Sequence, residues 1–593
     1  MIGPDDKLCV FDIEGDGLNP SKIHCMTAAV YSLGKWRVKS TTDYDKMRSF
    51  FTGTDVLVGH NIYRWDIPVI ERLLDIKVTA KIVDTLAVSW YLYPTRGSHG
   101  LASWGEHFGI PKPVITEGEW EGPLPNETQE QFIDKMINRC EEDVKINCKL
   151  WDKELANLCT LYGSQVHKDK SYRLIEYLMF KMETARSAEK SGWKLDVKRC
   201  EEGLAKLEEQ VEEKVVLLSE VMPKCPIYRT KSKPKVMYKK SGTLSKQGEV
   251  WFNLLVDEKL NPDHNEDITF LSGHKEPNPN STKQIKDWLT SLGWKPESFN
   301  FVGDRTVPQI RVDIKGEKLL CPSVNKLLDK EPALEHLEGI TLMNHRIGVL
   351  KGFLSNVGED GYLQASIAGV TNTLRFRHKT IVNLPAASRP YGDLIRGVLI
   401  APEGYELCGS DMSSLEDRTK QHYMWKHDPE YVKEMQVEDF DPHLALAEFA
   451  GALTPEQVKA HKDGKENHSG IRHLYKTANY SCTYGAGGAT LARTLDISKS
   501  EGDSIVKAYR EKNWAIEAIA KEVRTKNCLE TMWLFNPVSK FWYSLRHDKD
   551  KFSTLNQGTG VYCFDMWIKN FFKKRPQITG QMHDRYFVVG KFR

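Results

Sequence analysis

Near the start of the chain the apolar positions come in short runs with no helical period. Residues 7–13 alternate into Leu8-Cys9-Val10-Phe11, and a second run, Val56-Leu57-Val58, follows. Runs of this length predict buried strands. Further on the period lengthens. Residues 171–222 are rich in helix formers, with apolar periodicity and i,i+4 charge pairs over 204–221, and predict long helices. Residues 223–248 break that pattern with prolines. In the C-terminal half a strand is predicted to follow 405–408 and close on Asp411. A helix is predicted over 472–484, stopped by Gly485-Ala486-Gly487-Gly488, and a last strand over 586–589. The mixture predicts an α/β and α+β multidomain chain.

Composition narrows the class. A chain of 593 residues with 40% hydrophobic positions holds several globular domains. The net charge of +2 hides segregation. Lys224, Arg229, Lys231, Lys233, Lys235, Lys239, Lys240 and Lys246 fall within 223–248 without an acidic residue. Such a run reads either as a solvated basic loop or as a phosphate-tracking surface interleaved with Tyr228 and Tyr238. Twelve cysteines are scattered with no CxxC pair, against a zinc site or a disulfide framework. No signal-type apolar run opens the chain, and no uncharged stretch of about 18 residues occurs. A soluble cytoplasmic protein with no membrane association is therefore expected.

The candidate chemistry lies in two regions. On the predicted helix, Arg472, Lys476, Tyr480 and Tyr484 recur every four residues. A drift of about 40° per step keeps them on one face over roughly 18 Å. Two cations at the N-terminal end and two aromatics beyond suit a nucleoside triphosphate, phosphates first. In isolation the stripe is also what an ordinary amphipathic helix presents. Near the N-terminus, Asp12 and Glu14 share one strand face by period two. Asp66 follows the second strand in Gly59-His60-Asn61-Ile62-Tyr63-Arg64-Trp65-Asp66, and Asp143 lies in Cys140-Glu141-Glu142-Asp143-Val144 on a predicted helix. Four carboxylates gathered by a mixed fold can hold two Mg²⁺ ions, with Mn²⁺ as an alternative.

Three segments in fixed order add specificity: Asp411-Met412-Ser413-Ser414-Leu415-Glu416-Asp417-Arg418, the helix stripe ending in Tyr484-Gly485, and Gln581-Met582-His583-Asp584. Together they resemble the polymerase signature of family A DNA polymerases, most closely the replicative enzymes of bacteriophages. The N-terminal acids, with Gly97-Ser98-His99-Gly100-Leu101-Ala102-Ser103-Trp104-Gly105, resemble a proofreading 3′–5′ exonuclease. The resemblance implies a ribonuclease H-like exonuclease domain over 1–160, a thumb and connecting region over 161–360, a palm split between 361–425 and 548–593, and fingers over 426–547. It implies metal binding at Asp411 and Asp584, and separately at Asp12, Glu14, Asp66 and Asp143.

The same resemblance assigns Arg472, Lys476 and His443 to the triphosphate and His583 to the primer terminus. Glu416 and Tyr480 are assigned to the sugar, and Tyr484 to the nucleotide along the stripe. Arg375 is assigned to the primer strand, with Asn383-Leu384-Pro385, Arg389-Pro390-Tyr391-Gly392 and Arg396 continuing the match. Gln557, in Gln557-Gly558-Thr559, is assigned to the minor groove of the new pair, where acceptors common to all four pairs test geometry without reading sequence. Residues 275–297 resemble the thumb-to-palm approach. The partners implied are DNA template–primer and dNTPs. The basic run sits where some phage relatives carry a loop for a host processivity factor, a likeness of position alone that names no partner or replisome protein.

Three departures stand out. Arg139 replaces the tyrosine usual four residues before the last exonuclease Asp, and a guanidinium pairs with carboxylates and does not act as a base. Arg585 replaces the usual Glu after His-Asp. Nine residues follow Asp584, fewer than in relatives, which reads as either a naturally shortened or a truncated C-terminus, and no 5′-nuclease domain is expected, since the chain opens directly on the exonuclease strand. The alternative function is an exonuclease whose C-terminal region only binds nucleic acid.

Overall fold

The structure is a computed structural model that describes residues 7–163, 168–302, 305–314, 317–495, 497–573, 580–582 and 585–590. Two compact units emerge. One joins 1–196, 356–385 and 399–593; the other joins 197–355 and 386–398.

The first unit opens on a five-stranded sheet of β1 (Leu8–Gly15), β2 (Ile23–Ser32), β3 (Lys35–Thr41), β4 (Val56–Gly59) and β5 (Lys81–Asp84). Its order is β3-β2-β1-β4-β5, with β1–β3 antiparallel and β4 and β5 added in parallel. The apolar runs seen in the sequence are its buried central strands: Val10, Phe11, Val56, Leu57 and Val58 are fully enclosed. Helix α1 (Tyr44–Gly53) lies between β3 and β4, α2 (Asp66–Leu73) lies between β4 and β5, and α3 (Thr85–Leu92) and α4 (Leu101–Phe108) follow β5. Gly59 ends β4 where a Cβ would lie 2.2 Å from the Ile62 side chain, so only glycine admits the turn that leads to Asp66.

The long α5 (Gln129–Tyr162) starts in a capping box between Thr128 and Gln131. It buries Phe132, Met136, Cys140, Val144, Trp151 and Leu158 in an apolar stripe. Asp143, Asn147 and Glu154 interrupt that stripe with buried polar groups. Next, α6 (Lys168–Ser191) crosses to the C-terminal half. Tyr177, Leu178, Met179 and Met182 share one core with Val83, Tyr91, Trp151, Trp533, Trp542 and Tyr543. The Tyr91 hydroxyl, 3.0 Å from that of Tyr162, donates to the Trp542 carbonyl at 2.6 Å. The N-terminal sheet and the C-terminal half are thus packed as one body of protein.

In that half, β6 (Glu406–Asp411) is followed by α7 (Leu415–Met424), α8 (Pro442–Phe449), α9 (Ser469–Thr483) and α10 (Lys551–Phe572). Strands β7 (Gly580–Met582) and β8 (Arg585–Gly590) complete a three-stranded sheet in the order β6-β8-β7, with Asp411 opposite Arg585.

The second unit contains the helix Val197–Val221, the ribbon Cys225–Lys231 paired with Ile268–Lys275, and the helices Lys246–Asp257, Thr282–Ser291 and Ile340–Asn356. The helical pattern ends at Val221, as the prolines predicted, and the basic segment beyond it is partly strand. Trp251, Leu254, Leu255 and Ile268 form a small core beneath the ribbon. No described helix is long and apolar enough to cross a membrane.

Candidate active sites

Strand β1 ends by presenting Asp12 and Glu14 on one side, as period two requires. Helix α5 brings Asp143 to them: one oxygen from each of the three carboxylates lies within 4.8 Å of the others. Asp66 stands outside that group at the first turn of α2, buried, with Oδ1 lacking a partner. Burial pushes the Asp12 and Asp66 carboxyls well above the usual range, and for Asp12 the charges of Asp66, Asp143 and Glu14 push further. Glu14 is pushed up to about 7 by burial, against the pull of Arg139. Crowded, buried carboxylates with spare oxygens are a donor set that fits hard divalent cations.

Arg139 lies one helical turn before Asp143 and faces the same cluster. Its Nε is 3.1 Å from Glu14 Oε1, as expected for a guanidinium paired with a carboxylate. The guanidinium also donates to the Pro113 carbonyl and sits 4.8 Å from the Trp120 ring centre. The sequence pattern gave no sign of Lys112, whose Nζ is 2.5 Å from Asp143 Oδ2. Its only local signal is the Pro111-Lys112-Pro113 triplet, which fixes a turn of backbone and says nothing of what the side chain meets.

The second site is built around α9. Tyr475, Ala478, Asn479 and Cys482 turn into the helical core, so Lys476, Tyr480 and Tyr484 emerge on the exposed side, with Arg472 half-buried beside them. Gly485, at φ +76°, takes the left-handed conformation just past the helix end. Arg472 Nε donates to Asp441 Oδ2 at 2.6 Å. The other oxygen of Asp441 caps α8 by accepting from the backbone N–H groups of His443 and Leu444. The His443 ring lies 5.7 Å from that of Tyr480, with Nδ1 buried and unpartnered. Burial holds its pKa down to about 4, so the ring is neutral near pH 7.

Ser414, in the left-handed conformation, turns the chain sharply between Asp411 and Glu416. The Tyr484 hydroxyl donates to Glu416 Oε2, and Gln557 Nε2 approaches that hydroxyl at 3.5 Å. Gln557 Oε1 in turn accepts from the Thr373 hydroxyl at 2.7 Å, two residues from Arg375. Glu416 thus meets Tyr484, one turn beyond Tyr480 on the stripe. Asp411 is the exposed last residue of β6. His583 and Asp584, which the sequence reading puts at the last predicted strand, lie outside the described residues.

Comparison with known proteins finds similarity to DNA polymerases. Residues 258–533 match the model for DNA polymerase family A. The chain is 28% identical over 171 residues to the thermostable DNA polymerase I of Thermus filiformis, which is 28% of this chain and 19% of that protein. It is 29% identical over 192 residues to DNA polymerase I of Helicobacter pylori strain 26695, 32% of this chain and 20% of that protein. The matches thus span about a fifth of those relatives' length. Its fold resembles the POL domain of Pol1 from M. smegmatis, solved in complex with DNA primer-template and dNTP. That likeness has a TM-score of 0.63 at 15% identity, covering 100% of this chain and 90% of the other. The family model and the relatives are thus alike in kind: what the chain is similar to is DNA polymerase of family A.

Proposed function

Starting from the family A match, we propose that this chain is a template-directed DNA polymerase that extends a primer with dNTPs and carries a 3′–5′ exonuclease in its N-terminal part. The order of its motifs supports a role in replication of a phage genome. One observation carries the polymerase reading: Tyr484, at the end of the exposed Lys476–Tyr480–Tyr484 stripe of α9, joins a hydrogen-bonded network with Glu416 on α7 and Gln557 on α10.

In this reading Arg472 and Lys476 hold the triphosphate, and neutral His443 adds a hydrogen bond without adding charge. Arg472 exchanges Asp441 for phosphate when the nucleotide arrives. Tyr480 and the Glu416–Tyr484 pair close the space beside the sugar, and Gln557 meets the minor groove of the new pair. Divalent ions bound by Asp411 and Asp584 would supply activation of the primer hydroxyl and neutralisation of the leaving pyrophosphate. The cationic side chains stabilise the charge that spreads over the phosphates in the transition state.

The N-terminal sheet, with its antiparallel trio extended by two parallel strands, supports a ribonuclease H-like domain. Asp12, Glu14 and Asp143, with Asp66 beside them, would hold its ions. The test is primer extension with Asp411→Ala: incorporation should vanish while template–primer binding persists. Extension retained at a tenth of the wild-type rate would overturn the assignment.

A further inference from the structure

The carboxylate cluster carries its own cations, and the two are held in different ways. Arg139 has three anchors: Glu14, the Pro113 carbonyl and the face of Trp120. Lys112 forms an ion pair with Asp143 from an irregular loop, and its side chain keeps 22% of its surface exposed. Asp143 offers Oδ2 to that ammonium, while its Oδ1 is buried with no partner. A carboxylate 3% exposed with one oxygen unsatisfied has capacity for a further cation. An ammonium on a flexible stem is strongly hydrated and moves to water more readily than a triply anchored guanidinium.

We infer that Lys112 is a displaceable occupant of the metal site: a divalent cation enters by taking Asp143 from the Lys112 ammonium, while Arg139 stays on Glu14. The affinity of the site for metal is then weakened by the ion pair that must break. A divalent ion brings twice the charge of the ammonium to oxygens that are already crowded, so the exchange proceeds once enough metal is present. Lys112 sets how much metal is enough.

The experiment uses the full chain carrying Asp411→Asn to quiet the C-terminal site, with Mn²⁺ binding followed by electron paramagnetic resonance. Lys112→Gln should tighten Mn²⁺ binding by about tenfold, the scale expected when one like charge near the ion is removed. Lys112→Arg should stay near the parent, and Asp143→Asn should lose the site. Unchanged or weaker binding in Lys112→Gln would overturn the inference. A second measurement needs no substitution at Lys112. Acylation of that lysine, read by mass spectrometry, should rise when Mg²⁺ is added, and a Mg²⁺-independent extent of acylation would equally overturn it. The activity arm rests on the exonuclease reading: the Mg²⁺ midpoint for degradation of a single-stranded 3′ end should fall with Lys112→Gln by the same factor as the binding constant. Tighter Mn²⁺ binding with no degradation in any variant would remove the exonuclease and leave the cation exchange standing.

Discussion

Glu416 has two hydrogen-bonding jobs. Its carboxylate accepts from Tyr484, and its backbone carbonyl accepts from Asn556 Nδ2 at 2.9 Å. Glu416→Ala therefore removes a wall from the proposed sugar site and releases Tyr484 together. Insertion of CTP relative to dCTP should rise on the order of tenfold or more, while Tyr484→Phe, which leaves the carboxylate in place, should raise it less. Tyr480→Phe should reduce acceptance of ddCTP relative to dCTP. Single-nucleotide insertion kinetics on one primer would check all three, and unchanged ratios would remove this residue set from the sugar. Lys420 gives a pH effect. It is 3% exposed, donates to Asn513 Oδ1 at 2.6 Å, and burial lowers its pKa to about 8. The unfolded chain binds its proton up to about pH 10.4, so the native state bears a penalty below pH 8 that is relieved as pH rises toward 10. The penalty is on the order of a few kcal/mol. Lys420→Met should raise the melting temperature at pH 7, and its difference from wild type should shrink on going from pH 8 to 10. What the sequence disclosed at this scale followed local periodicity: the α9 stripe and the Asp12–Glu14 pair are fixed by one helix and one strand. The Glu416–Tyr484 contact is decided by where α7 lies against α9, and Lys112 reaches Asp143 from a loop outside α5, so neither was legible.

Elements show the same division. Asp143 lies on the buried stripe of α5, where a carboxylate among apolar neighbours already marks a site, whereas the ribbon strand Cys225–Lys231, just past the expected break in the helical pattern, was not foreseen. Prolines at 223 and 226 are tolerated because they fall before and near the start of an edge strand. Ribbon residues Tyr228 and Leu271 are paired in register and remain 63% and 46% exposed. A two-stranded ribbon has little intrinsic stability, so the small core under it must hold it in place. If its lysines track phosphates, changing Lys231, Lys233, Lys235, Lys239 and Lys240 to Gln should weaken template–primer binding. The slope of log affinity against log salt should become shallower by about 0.9 for each phosphate no longer neutralised. An unchanged slope would make the segment a solvated surface.

For the first unit as a whole, the decisive feature is the continuity between the N-terminal sheet and the C-terminal half. Lys181 on α6 and Asp565 on α10 form a buried ion pair at 2.7 Å, with Tyr177 also donating to Asp565. Removing the acid leaves a charge in the interior without its partner. Asp565→Ala should destabilise the protein by about 3–5 kcal/mol, whereas replacing both partners with apolar residues of matching size should do far less harm. Denaturant melts of the two variants would separate these outcomes. No run of residues announces such a joint, because its two halves are 384 positions apart. Its consequence is evolutionary. Under the proposed exonuclease reading, a lineage that ceased to need degradation of 3′ ends could surrender Asp12, Glu14 or Asp143 by point substitution. It could not delete the segment that bears them, because without Tyr91, Trp151 and Tyr162 the buried Trp533, Trp542 and Tyr543 would lose the other wall of their core. Descendants would then keep the N-terminal sheet long after its carboxylates had drifted, and the shape of the ancestral site would outlast its chemistry.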